Sequence, residues 1–368
     1  VKIHITHIVG NRPHYMKLAP VYRALATTTA AEIEQSIINT GQHYTSSLSS
    51  EFLAELGLPD PDSDLNIKAE TQPSFIGKAM VAIDESLQSL NPNIVIVYGD
   101  TNSTLAGTLA AAKSNRHVAH VEAGLREHDL SLPEEVNKRA IDAVSDLLFA
   151  PSESAKQQLI DEQSPGEIHF VGDVTYDLIH QLQSKIKDTF TQVKTKYNLP
   201  DKYILATCHR AINTDVKANL ENILKALGNC GLRVILPIHP RTAQAITTHG
   251  LESYLEYDHI SIVDPLPYLE TQALLSHATY CITDSGGLIK EAYFHSVPAI
   301  IIDTQTEWVE TVESGLHVVT GPQSGAILTA LKQRPIPLTS TDVYGSGDAC
   351  ELIVTHLIDY ISKHTKST

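Results

Sequence analysis

Short runs with no polar face constrain this chain more than any other feature. Ile94-Val95-Ile96-Val97-Tyr98, Leu147-Leu148-Phe149-Ala150 and Ala299-Ile300-Ile301-Ile302 are apolar at successive positions rather than alternate ones. A strand of that kind needs cover on both sides, which a parallel sheet between two helical layers supplies. Helix-length amphipathic segments separate the runs. Val1 to Val9 reads as a strand, Pro20 to Leu25 as part of a helix, and Thr101 to Lys113 as the helix after Tyr98. Val118 to Val121 is a further strand, and a helix is expected around Glu134 to Ser145. The rhythm restarts after Val171-Gly172-Asp173-Val174, with strands at Tyr203 to Thr207, Val234 to Ile238, Tyr280 to Thr283 and Ala299 to Ile302. The expected fold class is therefore α/β, with two Rossmann-like domains at 1–172 and 173–350 and the active site in the cleft between them. A last helix, 351–368 and beginning near Asp348, is expected to pack back on the first domain.

Composition narrows the function classes. A formal net charge of -16 argues against nonspecific binding to nucleic acid or to an anionic membrane. It leaves room for an anionic small molecule, which needs only local donors. No apolar stretch is long enough to span a bilayer, and Val1 to Ile5 already alternates like a strand rather than a signal peptide. The four cysteines (Cys208, Cys230, Cys281, Cys350) have no metal-binding spacing, so reduced thiols in a cytoplasmic protein are the simplest reading.

In open parallel sheets ligands collect at the carboxyl ends of strands, where helix N-termini present unpaired N–H groups. Asp284-Ser285-Gly286-Gly287 ends one strand and opens a helix. Its glycines let a phosphate approach the backbone, and Glu291, one helical turn on, suits ribose hydroxyls. A plain helix cap with a glycine turn would read the same way. Arg12 and Lys17, in the turn after the first strand, suit a phosphate or sugar; solvated surface cations are the bland reading. Cys208-His209-Arg210 and Ile238-His239-Pro240-Arg241 each follow a strand and together suggest a cationic wall. Asp100 and Glu122 end strands, and Glu134-Glu135 follow Pro133. Ordinary helix starts explain Asp100 and the Glu134-Glu135 pair singly. Converging acids and histidines are what proton transfer at carbon requires.

Taken in order, the segments GNRPHYMKLAPV at 10–21, TGQHY at 40–44, YGDTNSTLAG at 98–107, HVEAGLR at 120–126, PEEVNK at 133–138, HRAINTD at 209–215, HPRT at 239–242, TDSGGLIKEAYF at 283–294 and TEWVETVESG at 306–315 resemble the non-hydrolysing UDP-N-acetylglucosamine 2-epimerases. SDLLFAPSE at 145–153 and VGDVTYD at 171–177 extend the likeness over nearly the whole chain. The resemblance implies the glycosyltransferase-B architecture and an isomerase that needs no metal or other cofactor. It interconverts UDP-N-acetylglucosamine and UDP-N-acetylmannosamine by loss and re-addition of UDP through a 2-acetamidoglucal. By motif position Asp100, Glu122 and Glu134 take the acid–base work at C2, and His209 the leaving group or sugar. Arg12, Lys17 and His239 contact substrate, Ser285, Gly286 and Gly287 the diphosphate, and Glu291 the ribose. Gln42, His43 and Arg210 correspond to residues with which some members bind a second UDP-sugar as activator. A cytoplasmic homodimer serving cell-surface polysaccharide biosynthesis is also implied.

His14, Ile212, Asp303 and Lys138 depart from the family pattern. The changes at 212 and 303, an acid and an arginine lost together, read either as one compensated change, if those two side chains normally pair in relatives, or as an altered sugar pocket. Three alternatives stay open on the same fold: a 2-epimerase of UDP-2,3-diacetamido-2,3-dideoxyglucuronate, a hydrolysing 2-epimerase, and a glycosyltransferase. A catalytically silent sugar-nucleotide sensor is the bland option.

Overall fold

A computed structural model describes residues 2–42, 50–333 and 342–365. Its contacts divide the chain into two units, Val1–Gln181 with Asp342–Thr368, and Leu182–Thr341. The division falls inside one continuous helix, Val174–Lys196. No helix among the described residues is long and apolar enough to cross a membrane.

The first unit holds a seven-stranded parallel sheet: β1 (Lys2–Val9), β2 (Glu32–Asn39), β3 (Ser63–Asp64), β4 (Ile94–Tyr98), β5 (His117–Val121), β6 (Leu147–Ala150) and β7 (Glu167–Phe170), in the order β3-β2-β1-β4-β5-β6-β7. Every residue of β4 and β6 is buried, as runs without a polar face require. The second unit repeats the scheme with β8 (Tyr203–Ala206), β9 (Arg233–Pro237), β10 (Ile260–Val263), β11 (Tyr280–Thr283), β12 (Ala299–Ile301) and β13 (Val318–Val319), in the order β10-β9-β8-β11-β12-β13. Both orders double back at the first strand of the unit, the doubly wound arrangement expected of two Rossmann-like halves. Ligands in such sheets bind where the order reverses. Those points are the carboxyl ends of β1 and β4 in one unit and of β8 and β11 in the other.

The helix expected to contain Pro20 runs from Arg12 to Thr27, capped by the Asn11 side chain, which accepts from His14 N at 3.1 Å. The helix after β4 covers Asn102–Lys113, with Thr101 as its cap residue.

The C-terminal helix Ala349–Thr365 is fixed at both ends within the first unit. Asp177 accepts from Ala349 N at 3.3 Å and Cys350 N at 2.8 Å. Near the other end Tyr360 OH meets His117 Nδ1 at 3.1 Å, and the His169 and His356 rings stack at 3.8 Å. Burial holds both stacked imidazoles below their ordinary value; His356 adds to this for His169, and Glu167 and Asp359 oppose it. A base whose folded pKa is depressed contributes stability above its unfolded value, about 6.5, and that stability is lost as pH falls through the folded value. Amides of Ala349–Thr365 should therefore exchange faster at pH 5 than at pH 7.5, after correction for intrinsic rates. His356→Phe, which keeps the stack but cannot charge, should flatten that dependence; a slope equal to the parent's would count against the pair as its cause.

Candidate active site

At the end of β1 the chain has no room for a side chain: a Cβ on Gly10 would overlap Ser103 Oγ and Thr40 Oγ1, which lie 2.6 Å apart. Gln42 Oε1 accepts from Ser103 N at 2.9 Å and Ser103 Oγ at 2.7 Å, so it is tied to the start of helix Asn102–Lys113. His43 lies outside the described residues. Arg12 stands over the Phe52 ring, 5.0 Å from its centroid.

One turn further along the same helix, Lys17 reaches back over the sheet and pairs with Glu122. Their side chains are 13% and 10% exposed, so the pair is largely withdrawn from water. It sits above Gly99, where a Cβ would stand 2.8 Å from Lys17 Nζ, 3.6 Å from Glu122 Oε2 and 3.9 Å from His14 Nε2. Gly99 has φ +64°, and Glu122 itself has φ +75°, a left-handed conformation uncommon for a non-glycine residue. The Glu122 and Ala123 N–H groups both donate to Phe149 O, at 3.1 and 3.0 Å, and so hold that turn. Backbone strain of this kind costs about 1–3 kcal/mol and tends to mark functional positions.

A buried network supports the same strand ends. His120 Nδ1 meets Asp142 Oδ1 at 2.7 Å and His120 Nε2 meets Gly99 O at 2.7 Å. Its two ring nitrogens thus face a carboxylate and a backbone carbonyl. Arg126 bridges Asp142 at 2.8 Å and Glu162 at 2.6 Å. Burial pushes the Asp142 carboxyl up, but His120 and Arg126 outweigh it and leave the carboxyl below its ordinary value.

Asp100, at the end of β4, lies 3.6 Å from Lys138 Nζ, and Glu127 lies 3.7 Å from the same nitrogen. A buried lysine between two carboxylates acts as a point charge, a task that needs no bidentate donor. The two adjacent glutamates separate. Glu134 is exposed on the first turn of helix Pro133–Asp142. Glu135 is fully buried and accepts from Glu127 N and Arg139 Nε, each at 2.9 Å.

In the second unit the organising group is Asp284, buried at the end of β11. Its carboxylate accepts from His209 N, Arg210 N and Asn213 Nδ2, each at 3.0 Å, which draws the turn after β8 against the turn after β11. The His209 and His239 rings lie 5.5 Å apart, and burial, then His209 and Arg241, hold His239 below its ordinary value. Ser285 takes the N-cap position of helix Gly286–Phe294 without a side-chain cap bond. A Cβ on Gly287 would meet nothing within 4 Å, so its backbone faces open space. Glu291 is 4% exposed, and Gln272 Nε2 donates to its Oε2 at 2.7 Å.

Asp303 pairs with Arg210, at 2.8 Å, whereas Ile212 is 52% exposed. Pairwise partners such as Lys17 with Glu122, 105 residues apart, carry no local signal in a sequence. The same holds for His14 and Glu127, which the sequence reading did not place in the site. Among the described residues no group of three or more His, Cys, Asp or Glu side chains could hold a metal ion.

The chain matches the family described as UDP-N-acetylglucosamine 2-epimerase over residues 25–358. A Methanococcus maripaludis protein named UDP-N-acetylglucosamine 2-epimerase homolog is 40% identical, over 95% of this chain and 98% of that one. The UDP-2,3-diacetamido-2,3-dideoxy-D-glucuronate 2-epimerase of Pseudomonas aeruginosa is 37% identical, over 96% and 99%. The crystal structure of Methanocaldococcus jannaschii UDP-GlcNAc 2-epimerase in complex with UDP-GlcNAc and UDP superposes with a TM-score of 0.87 at 36% identity, covering 97% and 99%.

Proposed function

The chain belongs to the UDP-N-acetylglucosamine 2-epimerase family, and on that premise we propose that it inverts C2 of UDP-N-acetylglucosamine to give UDP-N-acetylmannosamine. The observation that carries this reading is the Glu122 carboxylate, held by Lys17 over Gly99 at the point where the first sheet reverses. A deprotonated acid at that place suits removal of the C2 proton. As the C2–H bond breaks, its electrons form the C1=C2 bond of a 2-acetamidoglucal, and the C1–O bond to the β-phosphate breaks to release UDP. In the return step a UDP oxygen adds to C1 while C2 takes a proton on its opposite face. Asp100 and Glu134 are the other candidates for that proton. His209, Arg210 and the Ser285-Gly286-Gly287 turn serve the departing diphosphate, with Glu291 on the ribose, Arg12 on diphosphate or sugar, and His239 on the substrate.

The Pseudomonas aeruginosa relative supports a second reading, because it is nearly as similar and covers as much of the chain. In that case the substrate is UDP-2,3-diacetamido-2,3-dideoxyglucuronate and the chemistry at C2 is the same. The family resemblance also supports a cytoplasmic homodimer, a polysaccharide pathway, and a second UDP-sugar bound through Gln42, His43 and Arg210.

Incubation with UDP-N-acetylglucosamine in D2O, followed by NMR, separates these readings. Deuterium at C2 in a mixture of gluco and manno UDP-sugars is the expected result. Free sugar plus UDP would replace the return step by hydrolysis. No exchange, with exchange on the diacetamido substrate, would establish the second reading instead.

A further inference from the structure

Arg210 is pinned at both ends. Its backbone N donates to Asp284 at 3.0 Å, and its Nη1 donates to Asp303 Oδ2 at 2.8 Å. Asp284 and Asp303 follow the neighbouring strands β11 and β12, while Arg210 follows β8 on the other side of β11. The guanidinium therefore spans the carboxyl end of β11, directly over the turn that opens helix Gly286–Phe294. A Cβ on Gly286 would stand 3.8 Å from Arg210 Nη2, and 3.5 Å from both Glu307 Oε1 and Trp308 Nε1. Asp303 is itself rigid: it is 6% exposed, its Oδ1 accepts from Thr304 N at 2.7 Å, and its carbonyl accepts from Gly321 N at 3.1 Å.

We infer that Asp303 is a positioning residue for the nucleotide diphosphate, fixing the Arg210 guanidinium across the end of β11 so that it faces the Ser285-Gly286-Gly287 turn. This rests on the reading of that turn as the diphosphate handle. An arginine donates in a planar fork, so one edge can be spent on Asp303 while another serves a phosphate oxygen. Preorganising a long side chain in this way removes an ordering cost from binding.

The sign of the effect tests the idea. Coulomb repulsion alone says that deleting a carboxylate beside a diphosphate tightens UDP. Positioning says the opposite. By calorimetry with UDP, Asp303→Ala should bind about tenfold more weakly, and Asp303→Asn, which keeps an acceptor, should recover most of that loss. Arg210→Ala combined with Asp303→Ala should bind no more weakly than Arg210→Ala alone, because Asp303 acts through Arg210. Arg210→Lys keeps the charge and leaves Asp303 untouched, so it reports even if Asp303→Ala does not fold; it should lose affinity nearly as far as Arg210→Ala. UDP binding by Asp303→Ala at or above the parent's strength, additive losses in the double variant, or parental affinity in Arg210→Lys would each overturn the inference and leave the diphosphate handle standing. Failure of the unaltered protein to bind UDP would overturn both.

Discussion

Glu122→Gln is expected to abolish hydrogen exchange at C2 of the UDP-sugar, with a fall of about 10²–10⁴-fold, while UDP still binds within about threefold of the parent. The amide keeps the shape and retains an oxygen that can accept from Lys17, so the left-handed turn and the packing over Gly99 should survive. What it loses is the ability to take a proton. Apart from Arg12, given to diphosphate or sugar, the groups assigned to the diphosphate follow β8 and β11, in the other unit, so UDP affinity reports folding and binding separately from chemistry. Deuterium incorporation measured by NMR, beside UDP calorimetry, reads both. Exchange at the parental rate would move the base to Asp100 or Glu134. Loss of exchange together with loss of UDP binding would make Glu122 structural rather than catalytic.

The architecture was legible where burial is two-sided. β4 and β6 declare themselves because neither face meets water, and the turns at their ends stand out as polar breaks. β2 carries no such signal, and its burial explains why: its first four residues are exposed or half-exposed, and β3 pairs only with Ile38 and Asn39. Most of β2 is thus an edge, and edge strands carry polar residues. β7 and β10 escaped for the same reason, with Glu167, His169 and Ser261 interrupting them at the rims of the two sheets. The site was legible as places rather than as pairs. Strand-end position and residue type together point to Asp100, Glu122, His209 and the Ser285 turn. They say nothing of which charges meet. Lys138 looked like a weakened arginine in sequence, and its place between Asp100 and Glu127 gives it a task that suits an ammonium. Nor does sequence show that Asp303 meets Arg210.

Asp142→Asn is expected to cost the first unit about 3–5 kcal/mol, the usual penalty for breaking a buried ion pair from one side. For a unit of this size that lowers its melting transition by about 6–20 °C. Asp142 is 1% exposed and accepts from three donors: His120 Nδ1 at 2.7 Å, Arg126 Nη2 at 2.8 Å and Gly124 N at 3.1 Å. An amide offers one oxygen and turns N–H groups toward donors, so at least one contact becomes donor against donor. The carboxyl's folded pKa is depressed, so its contribution is present above the unfolded value, about 3.9, and is lost as pH falls through the folded value. The gap between parent and variant, followed by calorimetry or circular dichroism, should therefore be full at pH 7 and narrow below pH 4. Because His120 Nε2 holds Gly99 O at 2.7 Å, the floor under Lys17 and Glu122 loosens in the same step. C2 exchange should then fall at temperatures where the unit is still folded, with UDP affinity in the second unit unchanged. A variant that melts with the parent, or loses stability equally at every pH, would show that this network does not hold the strand ends on which the proposed base depends.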